Sequence, residues 1–438
     1  MKMIHAIHVH PHDIRDEGRE AVLRNIVELA NVRTIIAEAV TLEERHPYPT
    51  GVLPHNPRHS VVVSQATLEV PLNKQWFEGL PVRPVSSNAV LAGDDYIASL
   101  SQAASARDVV VVPWLKGLNG AFDGRTEEIC VRTIDQELVP TWLCPSHPET
   151  LEYVTSLIFG ILERYGSQGI LLDRMRYPDW SGAAVKPERL LTCFCPDCRS
   201  KMEQEGIELP ILERGLRRIF DCWRYHPQQL TDWNGLETEM LELKKWILFR
   251  NSLVTRLVQQ INLKLQSWSF KRRTPVKFWL NLWPPSFAWL LGQDYKALGS
   301  LCDGAKHFPY HRLGGGADLK GLIDKIANEA NPDIKEQIFR EIMKLIQLPY
   351  DLSFEEFKNN GFPVDFVRRE TLAGKEAFGT EKQIFSGIQI WNTPEREIVK
   401  ACQAAQDGKA DGLFFYCYGW TNLHALETVG RIVASSAR

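Results

Sequence analysis

Eight short runs, apolar almost throughout, recur along the 438-residue chain and alternate with stretches of helical spacing. They cover residues 3–13, 33–40, 108–117, 168–180, 276–285, 303–313, 382–392 and 411–420, the fourth reading "QGILLDRMRYPDW". A strand with one wet face alternates apolar and polar residues, whereas a strand covered on both faces of a parallel sheet reads as a near-continuous apolar run. Helical segments fall between the runs. Val22, Ile26 and Leu29 follow the first at i, i+4 and i+7, and "SHPETLEYVTSLIFGILERYG" starts on a serine cap before the fourth. Eight covered strands alternating with helices predict an α/β fold, a closed (β/α)8 barrel.

Long insertions follow runs two, three, four and six, on the side where barrel enzymes carry their active sites. The expectation is therefore one barrel domain over 1–438, with an inserted subdomain at about 179–237 and an elaborated sixth loop and helix region at about 314–380. Hydrophobic residues at 44% and charged residues at 24% supply an ordinary globular core. A net charge of -3 lacks the basic field that draws nucleic acid or anionic membrane. No apolar run reaches the ~18–20 residues of a membrane span. The start "MKMIHAIHVHPHD" lacks the pattern of a signal peptide, so the expected location is cytoplasmic. Nine cysteines, an odd number, suit reduced thiols rather than a disulfide framework.

In a barrel, the residues at the C-terminal ends of the strands face the active site. Here these ends carry His8 and His10, Glu38, Trp114 and Lys116, Asp173 and Arg176, and Asn281 and Trp283. His307 and Tyr310, Gln389 and Trp391, and Tyr416 and Trp420 complete the set. Polar groups among aromatic rings suit a neutral polyhydroxylated ligand, a carbohydrate, in which rings stack on sugar faces and amides read hydroxyls. Trp223, Trp233, Trp246 and Trp268 fall in helical stretches and are expected to pack. The second loop carries His55, Asn56 and Arg58, which either cap the mouth or belong to an ordered surface loop.

"GILLDRMRYP" resembles the fourth-strand motif, roughly D-G-I-x-x-D-x-x-R-Y-P, of hypothetical glycoside-hydrolase-like barrel families. "CFCPDCRSKM" resembles the C-[FY]-C-x-x-C segment that follows that strand in some of them. The resemblance covers residues 148–202, and the chain departs from it at Gln168, where the families have Asp. It implies glycosidase activity, with Asp173 matching the nucleophile position of retaining barrels related to α-galactosidases and α-fucosidases. Arg174 and Arg176 would hold Asp173 ionised or brace the wall. Glycoside cleavage generally uses two carboxyl groups, ~5–5.5 Å apart for retention or ~6.5–9.5 Å for inversion. Asp318 and Glu38 are the candidates for the second, ahead of Asp13 and Asp123. No cofactor is needed for such a mechanism.

Two other readings stand beside this one. The pair His8 and His10 on one strand face resembles the start of an amidohydrolase-type metal site, to which only His307 or His311 could add further imidazoles. A carbohydrate-binding barrel without catalysis is the other. Separately, Cys193, Cys195 and Cys198 place three thiolates within six residues, the makings of a structural zinc that pins the fourth loop. Cys222, His226 or Cys144 would supply the fourth ligand.

Overall fold

A computed structural model describes residues 3–41, 53–56, 66–180, 187–312, 319–330 and 332–436. Each of the eight apolar runs holds one strand of a closed parallel barrel. These are β1 (Ile4–Val9), β2 (Thr34–Glu38), β3 (Val110–Lys116), β4 (Gly169–Asp173), β5 (Lys277–Leu282), β6 (Gly304–His307), β7 (Gln383–Gln389) and β8 (Gly412–Tyr416). Every strand pairs with its neighbours in sequence, and β8 closes the ring on β1 with Ile4 opposite Gly412. The expected (β/α)8 fold is the fold of this chain.

Alternation along each strand sorts the side chains into two cores. Phe278, Leu280 and Leu282 of β5 belong to the outer core under the helices, whereas Trp279 belongs to the inner one. Ala6, Ile36, Val112, Leu171, Trp279, Phe385 and Phe414, from seven different strands, fill the barrel interior. Phe385 stacks on Phe414 at 4.6 Å, and Trp279 meets Phe385 edge-on at 5.0 Å. This dry layer makes the barrel a packed body rather than a pore, so a ligand has access only from the ends.

The insertions sit around the mouth. After β4 come helices Pro196–Gln204 and Leu209–Tyr225, then a 36-residue helix, Glu237–Arg272, that returns the chain to β5. Its buried residues Trp246, Phe249, Leu253, Leu257, Ile261 and Leu265 recur every three or four positions, as one covered face requires. After β6, helix Leu319–Ala330 packs on both Leu209–Tyr225 and Lys335–Leu345, so the fourth and sixth insertions meet. Trp223 packs with Phe220, Trp233 with Arg218 and Trp268 with Phe159, in keeping with core roles. Among the described residues, no helix is long and apolar enough to cross a membrane.

Candidate active site at the barrel mouth

Above the apolar layer, charged and polar side chains replace hydrocarbon. Glu38 at the end of β2 accepts a hydrogen bond from Lys116 Nζ of β3, and His10 Nδ1, just past β1, lies 2.6 Å from its other oxygen. All three are almost wholly buried. Burial opposes ionisation of Glu38, but the Lys116 ammonium and the His10 imidazole outweigh it and hold the carboxyl down at about 2. Burial likewise disfavours a charged His10, and Glu38 with Cys417 overrides it, raising the imidazole well above its ordinary value. The His10 ring is stacked between His12 at 5.1 Å and Trp420 at 6.1 Å. A general acid must be protonated at the working pH. Glu38, a candidate proton donor in the sequence, is here placed between two cations, Lys116 and His10, a setting that favours its anionic form.

Asp173 ends β4 with both oxygens oriented. Trp114 Nε1 donates to Oδ2 at 3.1 Å, and the backbone N–H of Arg174 donates to Oδ1 at 2.6 Å. Arg174 is left-handed, with φ +58°, and this turn ends the strand and cancels its alternation. Both arginines consequently reach Asp179, Arg174 at 2.8 Å and Arg176 at the same carboxylate oxygen. Their ion-pair partner is Asp179, not Asp173. Arg176 is enclosed between the indoles of Trp142 and Trp283, each 5.4 Å away, and burial lowers its guanidinium to about 10. These contacts brace the wall beyond Asp173.

His8 lies below His10, edge-on to Trp114 at 4.8 Å and Tyr416 at 5.3 Å. Burial, with the cations Lys306, His10 and Lys116 around it, pushes its imidazole well below the ordinary value, so it is neutral. Among the described residues, neither of its ring nitrogens has a hydrogen-bond partner, and Asn281 Oδ1 and Gln389 Oε1 share this state. A buried polar atom without a partner costs about 1–3 kcal/mol, so these four atoms, on β1, β5 and β7, are suited to meet a polar ligand. Tyr310 stacks on Tyr416 at 5.7 Å, and Trp391 and Trp420 meet edge-on at 5.4 Å above them. Lys306, absent from the expected set, donates to the Tyr310 hydroxyl at 3.1 Å from inside the barrel.

Several expected residues lie elsewhere. His307 points outward to Thr371 Oγ1 at 3.2 Å under helix Asp365–Phe378, and burial lowers it to about 3. Trp283 packs with Trp180 and Phe308. Asp123 pairs with Arg83 on the surface. Both oxygens of Asp13 are used, by the His10 N–H and by Asn56 Nδ2, at 2.8 Å each. Asp318 and Arg58 lie outside the described residues. The first-strand histidines are not gathered as metal ligands. Among the described residues, the cluster with ligand geometry is made of cysteines.

No family model matches the chain, and no curated protein is similar to it. Solved structures are. The catalytic domain of β-amylase from Paenibacillus polymyxa superimposes with a TM-score of 0.57 at 10% identity, covering 99% of this chain and 98% of that one. The match shows that this chain shares its (β/α)8 barrel fold with that enzyme. Two further matches are the C-terminal domain of a putative chitinase from Desulfitobacterium hafniense DCB-2 and a family 18 N-acetylglucosaminidase from Paenibacillus barengoltzii. Both are 10% identical, with TM-scores of 0.44 and 0.41; the first covers 100% of each chain, the second 98% of this chain and 99% of that one.

The second loop of the barrel docks on the eighth through one small residue. Asn56 Nδ2 donates to the Gly419 carbonyl at 3.3 Å, and Leu53 joins the inner aromatic cluster. A Cβ on Gly419 would overlap Asp13 Oδ1 and Asn56 Nδ2 and lie 2.8 Å from Asp13 Cγ. Gly419→Ala is expected to destabilise the protein by about 1–3 kcal/mol, the usual range for overpacking. Chemical denaturation measures this, and an unchanged midpoint would remove the docking role.

Proposed function

We propose that this protein is a glycoside hydrolase that binds a carbohydrate in the barrel mouth and uses Asp173 as its reacting carboxylate. The observation that carries this reading is the setting of Asp173. It is a buried carboxylate at the end of β4, fixed by two N–H donors, one of them the indole of Trp114, in a barrel whose other strands carry the open polar atoms of His8, Asn281 and Gln389. Sugar faces would stack on Tyr416, Trp391 or Trp420, while Asn281 and Gln389 read hydroxyls. Asp173 would act as nucleophile or as the anion that stabilises an oxocarbenium-like transition state. Asp318, carried by the sixth loop, is the proposed proton donor to the leaving oxygen. The fold likeness to a β-amylase supports the same class of chemistry.

A panel of oligosaccharides and aryl glycosides tests the proposal, with release of reducing ends followed over time and the anomer of the first product read by NMR. The expected result is cleavage of at least one linkage that also binds in calorimetry. Sugars that bind without any being cut would instead make this a carbohydrate-binding barrel.

A further inference from the structure

A second centre lies beside the mouth. Cys144 follows the antiparallel pair Cys130–Arg132 and Leu138–Leu143 in the third loop, and Cys193, Cys195 and Cys198 occupy the fourth. The four sulfurs all lie within 4.8 Å of one another, with Cys144 at 3.4 Å from Cys198 and 3.9 Å from Cys195. These separations exceed the ~2.05 Å of a disulfide. They match the ~3.8 Å edges of a tetrahedron whose centre is ~2.3 Å from each sulfur, the zinc–thiolate distance. Backbone N–H groups of Arg132 and Cys195 point at Cys193 Sγ, at 3.4 and 3.3 Å, and that of Cys198 points at Cys195 Sγ at 3.5 Å. Such donors stabilise thiolates.

A buried cation lies within electrostatic reach of this cluster. Arg250 is buried, and among the described residues it has no carboxylate partner. Its guanidinium donates to the carbonyls of Leu290 and Leu190 and lies over the rings of Tyr177 and Trp246 at 4.3 and 4.4 Å. A buried cation needs a counter-charge. Cys193 and Cys198 lie within its electrostatic reach, so the thiolates of a metal-bound cluster would supply that charge.

We propose that Cys144, Cys193, Cys195 and Cys198 bind one zinc ion that fastens the third barrel loop to the fourth. Four thiols lose their protons to solvent as Zn2+ binds, leaving a tetrathiolate of net charge 2−, which Arg250 partly balances. Of the candidates for the fourth ligand, Cys144 is the one in place, while Cys222 and His226 lie outside the cluster. The clasp bears on the proposed active site. Trp142, two residues before Cys144, donates through Nε1 to the Arg176 carbonyl at 2.7 Å and so couples the ion to the wall beyond Asp173.

Elemental analysis of the full-length protein, purified without chelator, is expected to show one zinc per chain. Mercurial titration should release that zinc as four thiols react, and replacement by cobalt should give the visible absorption of a tetrahedral thiolate site. Cys144→Ser and Cys198→Ser should lose the ion, whereas Cys222→Ser keeps it. The wild-type titration does not depend on whether the serine variants fold. Metal-free wild-type protein, iron in place of zinc, or a full equivalent retained by Cys144→Ser would each overturn the proposal.

Discussion

Asp173→Asn is expected to lower glycoside turnover by about 10²–10⁴-fold, the scale on which positioned acid–base and nucleophilic groups act, while sugar binding changes only a few-fold. The amide keeps the size of the side chain but loses the negative charge that a cationic sugar transition state requires. It also has one accepting oxygen where the carboxylate has two. Trp114 Nε1 and the Arg174 N–H both donate to Asp173, so the amide nitrogen must face one of these donors and forfeit that bond. The structural penalty is about 1 kcal/mol for a lost hydrogen bond, too small to unfold a core of this extent. Activity and stability are thereby separable. Turnover within about twofold of wild type, in protein with unchanged sugar affinity, would show that the reaction does not pass through Asp173, since even the low end of that range is 10².

The barrel strands were legible because burial on both faces leaves its own signature. "VVVPWLK" and "GLFFY" can scarcely be anything other than covered strands, and both are. What each strand presents inward was harder to read. Trp114 and Lys116 share a face by alternation, and both point into the mouth. On the four-residue β6, His307 is the candidate by residue type, whereas the inward residue is its neighbour Lys306. Alternation failed at Arg174 because a left-handed residue ends the strand there, and nothing in "DRMRYPDW" announces that conformation. Partners distant in sequence were beyond reach. Glu38 meets His10 from 28 residues away and Lys116 from 78. A carboxylate at a strand end looks the same in sequence whether it is a proton donor or the centre of an ion group; the fold decides.

Glu38→Gln is expected to destabilise the protein by about 3–5 kcal/mol, the cost of removing one partner from a buried ion pair. The amide cannot compensate the Lys116 ammonium, which has nowhere wet to go, and His10 loses the anion that keeps it protonated. The pH dependence follows from the two shifts. Glu38 sits at about 2 when folded against an ordinary 4.5, so its contribution is complete above 4.5 and lost as pH falls towards 2. His10 is shifted the other way, from an ordinary 6.5 upward, so its contribution is complete below 6.5 and lost as pH rises through the higher folded value. The difference in unfolding free energy between wild type and variant should therefore be greatest between about pH 4.5 and 6.5 and shrink on both sides. Adding Lys116→Met to the variant removes the cation that has lost its carboxylate and should recover much of the loss, because an apolar replacement of a buried ion pair is often neutral or stabilising. Denaturant unfolding of the single and double variants across that pH range measures both effects. If Glu38→Gln unfolds at the wild-type midpoint at pH 5.5, the buried group does not hold the top of β1, β2 and β3 together.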